Sequence, residues 1–285
     1  MKKIVVLAKQ VPDTANVTGD AMKADGTVNR AALPAIFNPD DLYALEMALA
    51  IRDKIGGEVV VITMGPPKAA EILKHSLYMG ADRVMLITDR KFAAADTLAT
   101  SYVLAETIKK IGGVDLVLAG RQAIDGDTAQ VGPQVADKIG FNQITYVSAL
   151  REFNDNYLIV ERDGEVQTEV IKSSYPVLLT ITGQANTPRY PNCRRMLQYF
   201  RADVKENFND SELSAAESND WIIPTYALAD LDLDEDRCGL KGSPTKVHKI
   251  KSIMLKGGDL KMYGTKPTNI KQLVRDITKV YVEVN

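Results

Sequence analysis

A chain of 285 residues, 45% of them apolar, is long enough for one large domain with an extension or for two domains. Its formal net charge of −2 gives no basis for a nucleic-acid or anionic-membrane partner. Its two cysteines, Cys193 and Cys238, are distant and lack a CxxC spacing, which argues against a disulfide scaffold, an iron–sulfur cluster and a structural zinc.

No run approaches the roughly 18 apolar residues of a membrane span. The opening MKKIVVLAK turns polar too soon for a signal peptide, so the expectation is a cytoplasmic protein. Lys3 to Ala8 is a continuous apolar run, as in a strand buried on both faces of a parallel sheet. KQVPD follows at its end, and residues 14 to 35 read as a polar loop with a small hairpin around Asp25-Gly26. Asn38-Pro39-Asp40-Asp41 then signals a helix start: Asn38 as N-cap, Pro39 at the first position and two acids in the first turn. Leu42, Leu45 and Leu49 form its stripe, and Gly56-Gly57 ends it. A second strand, Glu58 to Thr63, turns through Met64-Gly65-Pro66-Pro67 into a helix with Ala69, Leu73 and Leu77 on one face, stopped by Gly80. A third strand, Val84 to Thr88, precedes a helix capped by Asp96 or Thr97.

The next stretch, DLVLAGRQAIDGDTAQVGP from Asp115 to Pro133, organises the rest. A buried strand passes into a glycine-bearing loop and then a helix, with Val131, Val135 and Ile139 at i, i+4 and i+8 and Gly140 as the stop. Unpaired N–H groups at such a helix start favour an anion. Gly120 and Gly126 allow close approach of a ligand or a positive φ. Asp127 is expected to cap the helix, and Asp125 to accept from ribose hydroxyls or an adenine amine. A well-capped connection without ligand explains the same spacing.

The repeated β-then-α order predicts an α/β fold with a mostly parallel, doubly wound sheet of Rossmann-like, adenine-nucleotide-binding type. KQVPD, TMGPP and GRQAIDGDT are all strand-to-helix turns, so they share the C-terminal edge of the sheet, where ligands bind. That shared edge points to a nucleotide pocket. Ile144 to Val147 reads as another strand after the helix that Gly140 stops. Beyond residue 150 the runs around Asp163-Gly164 predict an added β-hairpin, and Val177 to Thr182 one more strand. The expected organisation is a nucleotide-binding domain over 1–186, then a partner-recognition loop and a long C-terminal arm over 187–285. GxGxxG, GxxxxGK[ST], HExxH and a nucleophile elbow are absent. No side chain is expected to be catalytic, so a bound nucleotide either carries the chemistry or is structural.

KQVPD, NPDDLYALEMAL, TMGPP, GADR at 80–83, GRQAIDGDTAQVGP and PRYP at 188–191 occur together in an order and spacing that resembles the β (small) subunit of electron-transfer flavoproteins, over residues 1 to about 200. The tail resembles the family less closely, apart from Gly242-Ser243-Pro244-Thr245-Lys246. The resemblance implies a heterodimer with an α subunit that holds the electron-transferring FAD, and an adenine nucleotide on the edge of this chain. In ordinary members that nucleotide is structural AMP. In bifurcating members it is a second FAD, which accepts hydride from NADH and sends the two electrons to different acceptors, such as ferredoxin. The implied contacts fall on Leu7 and Lys9, on Asn38, Pro39, Asp40 and Asp41, and on Met64 and Gly65. They continue through Gly120, Arg121, Gln122, Ala123, Ile124 and Asp125, then Gly126, Asp127, Thr128, Ala129, Gln130 and Val131. GRQAIDGDTAQVGP and KQVPDT resemble the bifurcating, anaerobe-type members, and Gly126 would leave room for the pyrophosphate and ribityl of FAD. The resemblance also implies that about Arg189 to Tyr199 forms a loop gripping partner dehydrogenases. Cys193 or its neighbours, followed by Arg194-Arg195, stand where a leucine anchor often sits, which puts acyl-CoA dehydrogenases of the usual kind in doubt. A stand-alone nucleotide-binding regulator of the universal-stress type shares the sheet in outline, but would end near residue 150.

Overall fold

The computed structural model describes residues 2–13, 33–245 and 261–282; the hairpin expected at Asp25-Gly26 lies outside the described residues. The first half alternates strand and helix. β1 (Lys3–Leu7) leads through the short antiparallel pair β2 (Gln10–Pro12) and β3 (Ala35–Phe37) into α1 (Pro39–Ile55). β4 (Glu58–Met64), α2 (Ala70–Met79), β5 (Arg83–Ile87), α3 (Thr97–Ile111), β6 (Leu116–Gly120) and α4 (Val131–Ile139) follow. β7 (Asn142–Phe153), β8 (Tyr157–Asp163) and β9 (Thr168–Ser174) form an antiparallel extension, and β10 (Val177–Ile181) returns to the centre. The remainder holds α5 (Cys193–Tyr199), β11 (Asp203–Val204), α6 (Asp210–Ser218), β12 (Ile222–Ile223), β13 (Thr225–Tyr226) and α7 (Pro267–Val282).

The main sheet runs β13-β5-β4-β1-β6-β10-β7-β8-β9. It is parallel from β13 to β7 and antiparallel only in the hairpin extension. The α/β doubly wound expectation therefore holds, because the central strands alternate faces. Ile4, Val6, Val59 and Val61 pack under α1 and α2. Val5, Leu7, Val60 and Ile62 pack under α3 and α4. Both faces are apolar, so these strands read as continuous apolar runs rather than alternating ones.

Three local expectations shift. β7 is longer than the expected Ile144 to Val147, because its second half leaves β10 and pairs with β8 through irregular register at Val147/Ala149 and Leu150/Glu152. The hairpin turn is not at Asp163-Gly164 alone: Asp163 still pairs with Thr168, and Gly164 N–H donates to the Gln167 carbonyl at 3.0 Å. Part of the expected loop from Arg189 to Tyr199 is helical, because the Asn192 side chain accepts from the Arg194 and Arg195 N–H groups and starts α5.

Among the described residues, the stretch 221–245 does not build its own core. β13 joins the sheet edge beside β5, and Leu231, Leu233 and Cys238 are buried with Phe92, Tyr102 and Val103. Gly239 takes φ +52 and lies so close to the Lys91 carbonyl that a side chain has no space. Trp221 packs beside Phe200, ring centroids 6.2 Å apart, and its Nε1–H donates to the Gln198 carbonyl at 2.6 Å. Among the described residues no helix is long and apolar enough to cross a membrane.

Candidate functional site

From β1 the chain adds β4 and then β5 on one side, and returns with β6 on the other. The strand order therefore reverses between β1 and β6. At such a switch the connections leave in opposite directions and open a crevice beyond the strand ends. The lips of this crevice are the residues after Leu7 and after Ala119. Leu7 itself is buried beneath α3 and α4, so only its backbone faces the edge.

The N-terminus of α1 fills the floor. Asn38 N–H donates to the Lys9 carbonyl at 2.9 Å. Its side chain departs from the expected capping role: it accepts from no backbone N–H in the first turn of α1. Instead Nδ2 donates to the Gln122 carbonyl at 2.9 Å, and Oδ1 accepts from Ile124 N–H at 3.1 Å. Asn38 is fully buried, and this pair of bonds holds the 120–130 loop against the helix start. A buried amide so satisfied is costly to replace.

Asp41 does the same for the two lips. Its Oδ2 accepts from Lys9 N–H at 2.8 Å and its Oδ1 from Gly120 N–H at 3.0 Å. Burial pushes this carboxyl up to about 7, against the hydrogen bonds from Asn38, Lys9 and Gly120 that favour its charged form. Gly120 is required here by close approach, since a Cβ would come within 2.6 and 2.7 Å of Asp40 and collide with the Asp41 carboxylate. The close neighbour is thus the chain's own helix rather than a ligand. Burial also raises Asp40, in spite of the Arg121 guanidinium 3.4 Å away. Pro39 occupies the first helical position.

The loop itself is a compact turn. Gly126 and Asp127 N–H groups both donate to the Ala123 carbonyl, at 3.3 and 2.9 Å. Lys9 Nζ reaches across the crevice to both Asp125 oxygens, at 2.7 and 2.8 Å. Asp127 is not the helix cap: its carboxylate accepts from Gln122 Nε2 at 2.9 Å, and Gln130 stands at the N-cap with no side-chain cap bond. The left-handed residues are Asp127 and Ala129, at φ 50 and 52; neither Gly120 nor Gly126 is among them. Gly126 and Thr128 are exposed, and a Cβ on Gly126 would meet nothing within 4 Å. The first turn of α4, from Val131, therefore begins uncapped beside an open bay. Met64 ends β4 and Gly65 follows it on the other flank, where with Lys9, Pro12 and Lys68 they line an adjoining cavity of about 300 Å³.

The sequence-predicted residues thus meet along one edge, in two groups joined by Asn38 and by the Lys9–Asp125 pair. Sequence reasoning missed Tyr146, which takes φ 59 and lies 5.9 Å from Arg121, with its N–H on Thr180 Oγ1 at 3.0 Å. It reaches the edge from β7, after the switch, and carries no local motif.

Residues 25–206 match the electron transfer flavoprotein domain. The chain is 45% identical over 254 residues to the electron transfer flavoprotein subunit beta of Clostridium acetobutylicum, covering 89% of each chain. It is 44% identical over 264 residues, 92% of each chain, to the caffeyl-CoA reductase-Etf complex subunit CarD of Acetobacterium woodii. It is 38% identical over 286 residues to the acryloyl-CoA reductase electron transfer subunit gamma of Anaerotignum propionicum, covering 98% and 99% of the two chains. With the doubly wound sheet and its braced switch crevice, these likenesses show that the chain belongs to the β subunits of electron transfer flavoproteins.

Proposed function

We propose that the switch crevice holds the adenine-nucleotide part of a FAD, and that the chain works with an α subunit as an electron-bifurcating carrier with NADH as donor. One observation carries this reading: the uncapped start of α4 faces a bay left open at Gly126, directly beside lips held rigid by Asn38 and Asp41. The names of the Acetobacterium and Anaerotignum relatives, both linked to CoA-thioester reductases, favour the bifurcating type.

The residues present fit such a group. The α4 N-terminus supplies N–H groups and dipole for a pyrophosphate. Asp125, already drawn over the crevice by Lys9, is a hydroxyl acceptor at its rim. A flavin so held supplies hydride acceptance and single-electron transfer. The protein's part is to orient it and to keep the lips from moving.

The other end of the chain's surface suits the partner enzyme. Tyr190 and Leu197 are 93% and 78% exposed, beside Met196 and Phe200, and are proposed to meet a dehydrogenase or reductase, with ferredoxin as the second acceptor. The test is co-purification with the α subunit, acid extraction and chromatography. Two FAD per heterodimer, one of them reducible by NADH, is the expected result. One FAD and one AMP would make this an ordinary carrier with a structural nucleotide.

A further inference from the structure

Two stretches with no assigned role, the Asp96–Thr97 cap and the GSPT piece at 242–245, meet in the fold. Asp96 Oδ1 accepts from the Leu98 and Ala99 N–H groups at 2.9 and 3.0 Å and so caps α3. Its Oδ2 accepts from Thr245 N–H at 3.0 Å. Its own N–H donates to Ser243 Oγ at 2.8 Å, and that hydroxyl donates onward to the Gly239 carbonyl at 2.6 Å. Ser243 is 3% exposed, so water does not compete for these bonds.

Residues 227–245 form a strap that cannot slide over α3. Gly239 is pressed on Lys91, Arg237 stacks on the Tyr102 ring at 3.9 Å, and Asp234 N–H donates to the Tyr102 hydroxyl at 3.1 Å. Thr97, the next residue after Asp96, points to the opposite neighbour. Its hydroxyl donates to Gln130 Oε1 at 2.8 Å, and Gln130 is where the crevice loop becomes α4. The strap, the first turn of α3 and the last residue of the loop thus form one hydrogen-bonded series.

We propose that Asp96 and Thr97 are positioning residues that tie the C-terminal strap to the nucleotide loop, so that a seated strap and a filled crevice favour each other. The proposal rests on the nucleotide reading above. Gln130 held in place before the nucleotide arrives spares the binding step an ordering cost. The coupling is reciprocal by linkage, so the nucleotide must in turn steady the strap.

Two variants separate the links without disturbing the fold. Asp96→Asn keeps an N-cap acceptor but turns an NH₂ toward the Thr245 N–H. Thr97→Val keeps the shape and loses the hydroxyl. AMP, which is one half of FAD, is titrated into the heterodimer stripped of its nucleotides. Each variant is expected to raise the AMP dissociation constant about three- to tenfold, and the double variant no more than the larger single one. Thr97→Ser restores the affinity. AMP slows amide exchange over 238–245 in the unsubstituted protein and does not in Thr97→Val. Unchanged affinity in both single variants would overturn the coupling, as would effects that multiply in the double variant, or a strap whose exchange ignores AMP. Failure of the unsubstituted heterodimer to bind AMP would instead remove the nucleotide reading, and the coupling with it.

Discussion

The two ends of α1 are held in opposite ways. At its first turn, uncharged backbone groups converge on two buried side chains, Asn38 and Asp41, and the contacts are few and shielded. From Glu46 to Asp53, toward its other end, the PRYP segment is held by partly exposed charges. Arg189 bonds Glu46 at 2.8 Å and Asp53 at 2.8 Å, and Arg52 bonds Asp53 at 2.7 Å and Asp82 at 3.0 Å. Residues 186–189 run along the helix, since Asn186 Nδ2 donates to the Tyr43 carbonyl and Arg189 N–H to the Glu46 carboxylate, before Asn192 N–H donates to the Tyr78 carbonyl on α2. Shielded bonds resist exchange with water and hold a crevice to one shape. A lattice of partly exposed ion pairs is weaker for each contact, partly screened by salt, and able to rearrange when a partner arrives.

The sharpest break of this contrast is Asp41→Ala in the heterodimer. It leaves the Lys9 and Gly120 N–H groups buried without an acceptor, at about 1–3 kcal/mol each. Denaturation should show a loss of several kcal/mol together with loss of extracted nucleotide; a change below about 1 kcal/mol would mean that the lips do not depend on Asp41. A pH series sharpens the same point. The Asp41 carboxyl is raised from 3.8 to about 7 in the folded chain, so the folded state holds its proton more tightly. Relative to Asp41→Asn, stability should fall as pH rises from about 4 to about 7, at up to about 1.4 kcal/mol per unit. The other end runs the opposite way. Burial works to raise Asp53, but the hydrogen bonds and charges of Arg52 and Arg189 outweigh it and lower its carboxyl, so that contribution is lost as pH falls below the ordinary carboxylate range.

Arg189→Met should cost about 1 kcal/mol at low salt and less in 1 M salt, while slowing electron transfer to the partner enzyme by more than its stability effect explains. Equal losses at both salt concentrations would show that packing, not charge, seats the segment. The smallest stability effect is expected for Gly126→Leu, within about 0.5 kcal/mol, because the added side chain enters open space. Its nucleotide content should nevertheless fall. Full occupancy would move the pyrophosphate away from this loop.

Much of the framework was legible because continuous apolar runs and strand-to-helix turns each have a local signature. The turns KQVPD, TMGPP and GRQAIDGDT were correctly gathered on one edge by that reasoning alone. What stayed hidden depends on partners distant in sequence. Asn38 and Asp127 both have the chemistry of a helix cap, and only the fold shows that a loop 84 residues away takes the Asn38 amide and that Gln122 takes Asp127. Asp41 reads as an ordinary first-turn acid until Gly120 is brought against it. The strap was illegible for a different reason: Leu231 and Leu233 have a strand's spacing in an acidic stretch that forms no strand, Cys238 stands apart from them, and all three are buried by a core that other segments built.

Trp221 is the chain's single tryptophan. Its indole is tied to Gln198 and packed on Phe200, at the margin of the exposed apolar face of α5. The molecule therefore carries an intrinsic fluorophore at that face. Its emission should shift when a partner covers Phe200 and stay constant when ligand enters the distant crevice, so the two encounters can be timed separately in an unlabelled protein.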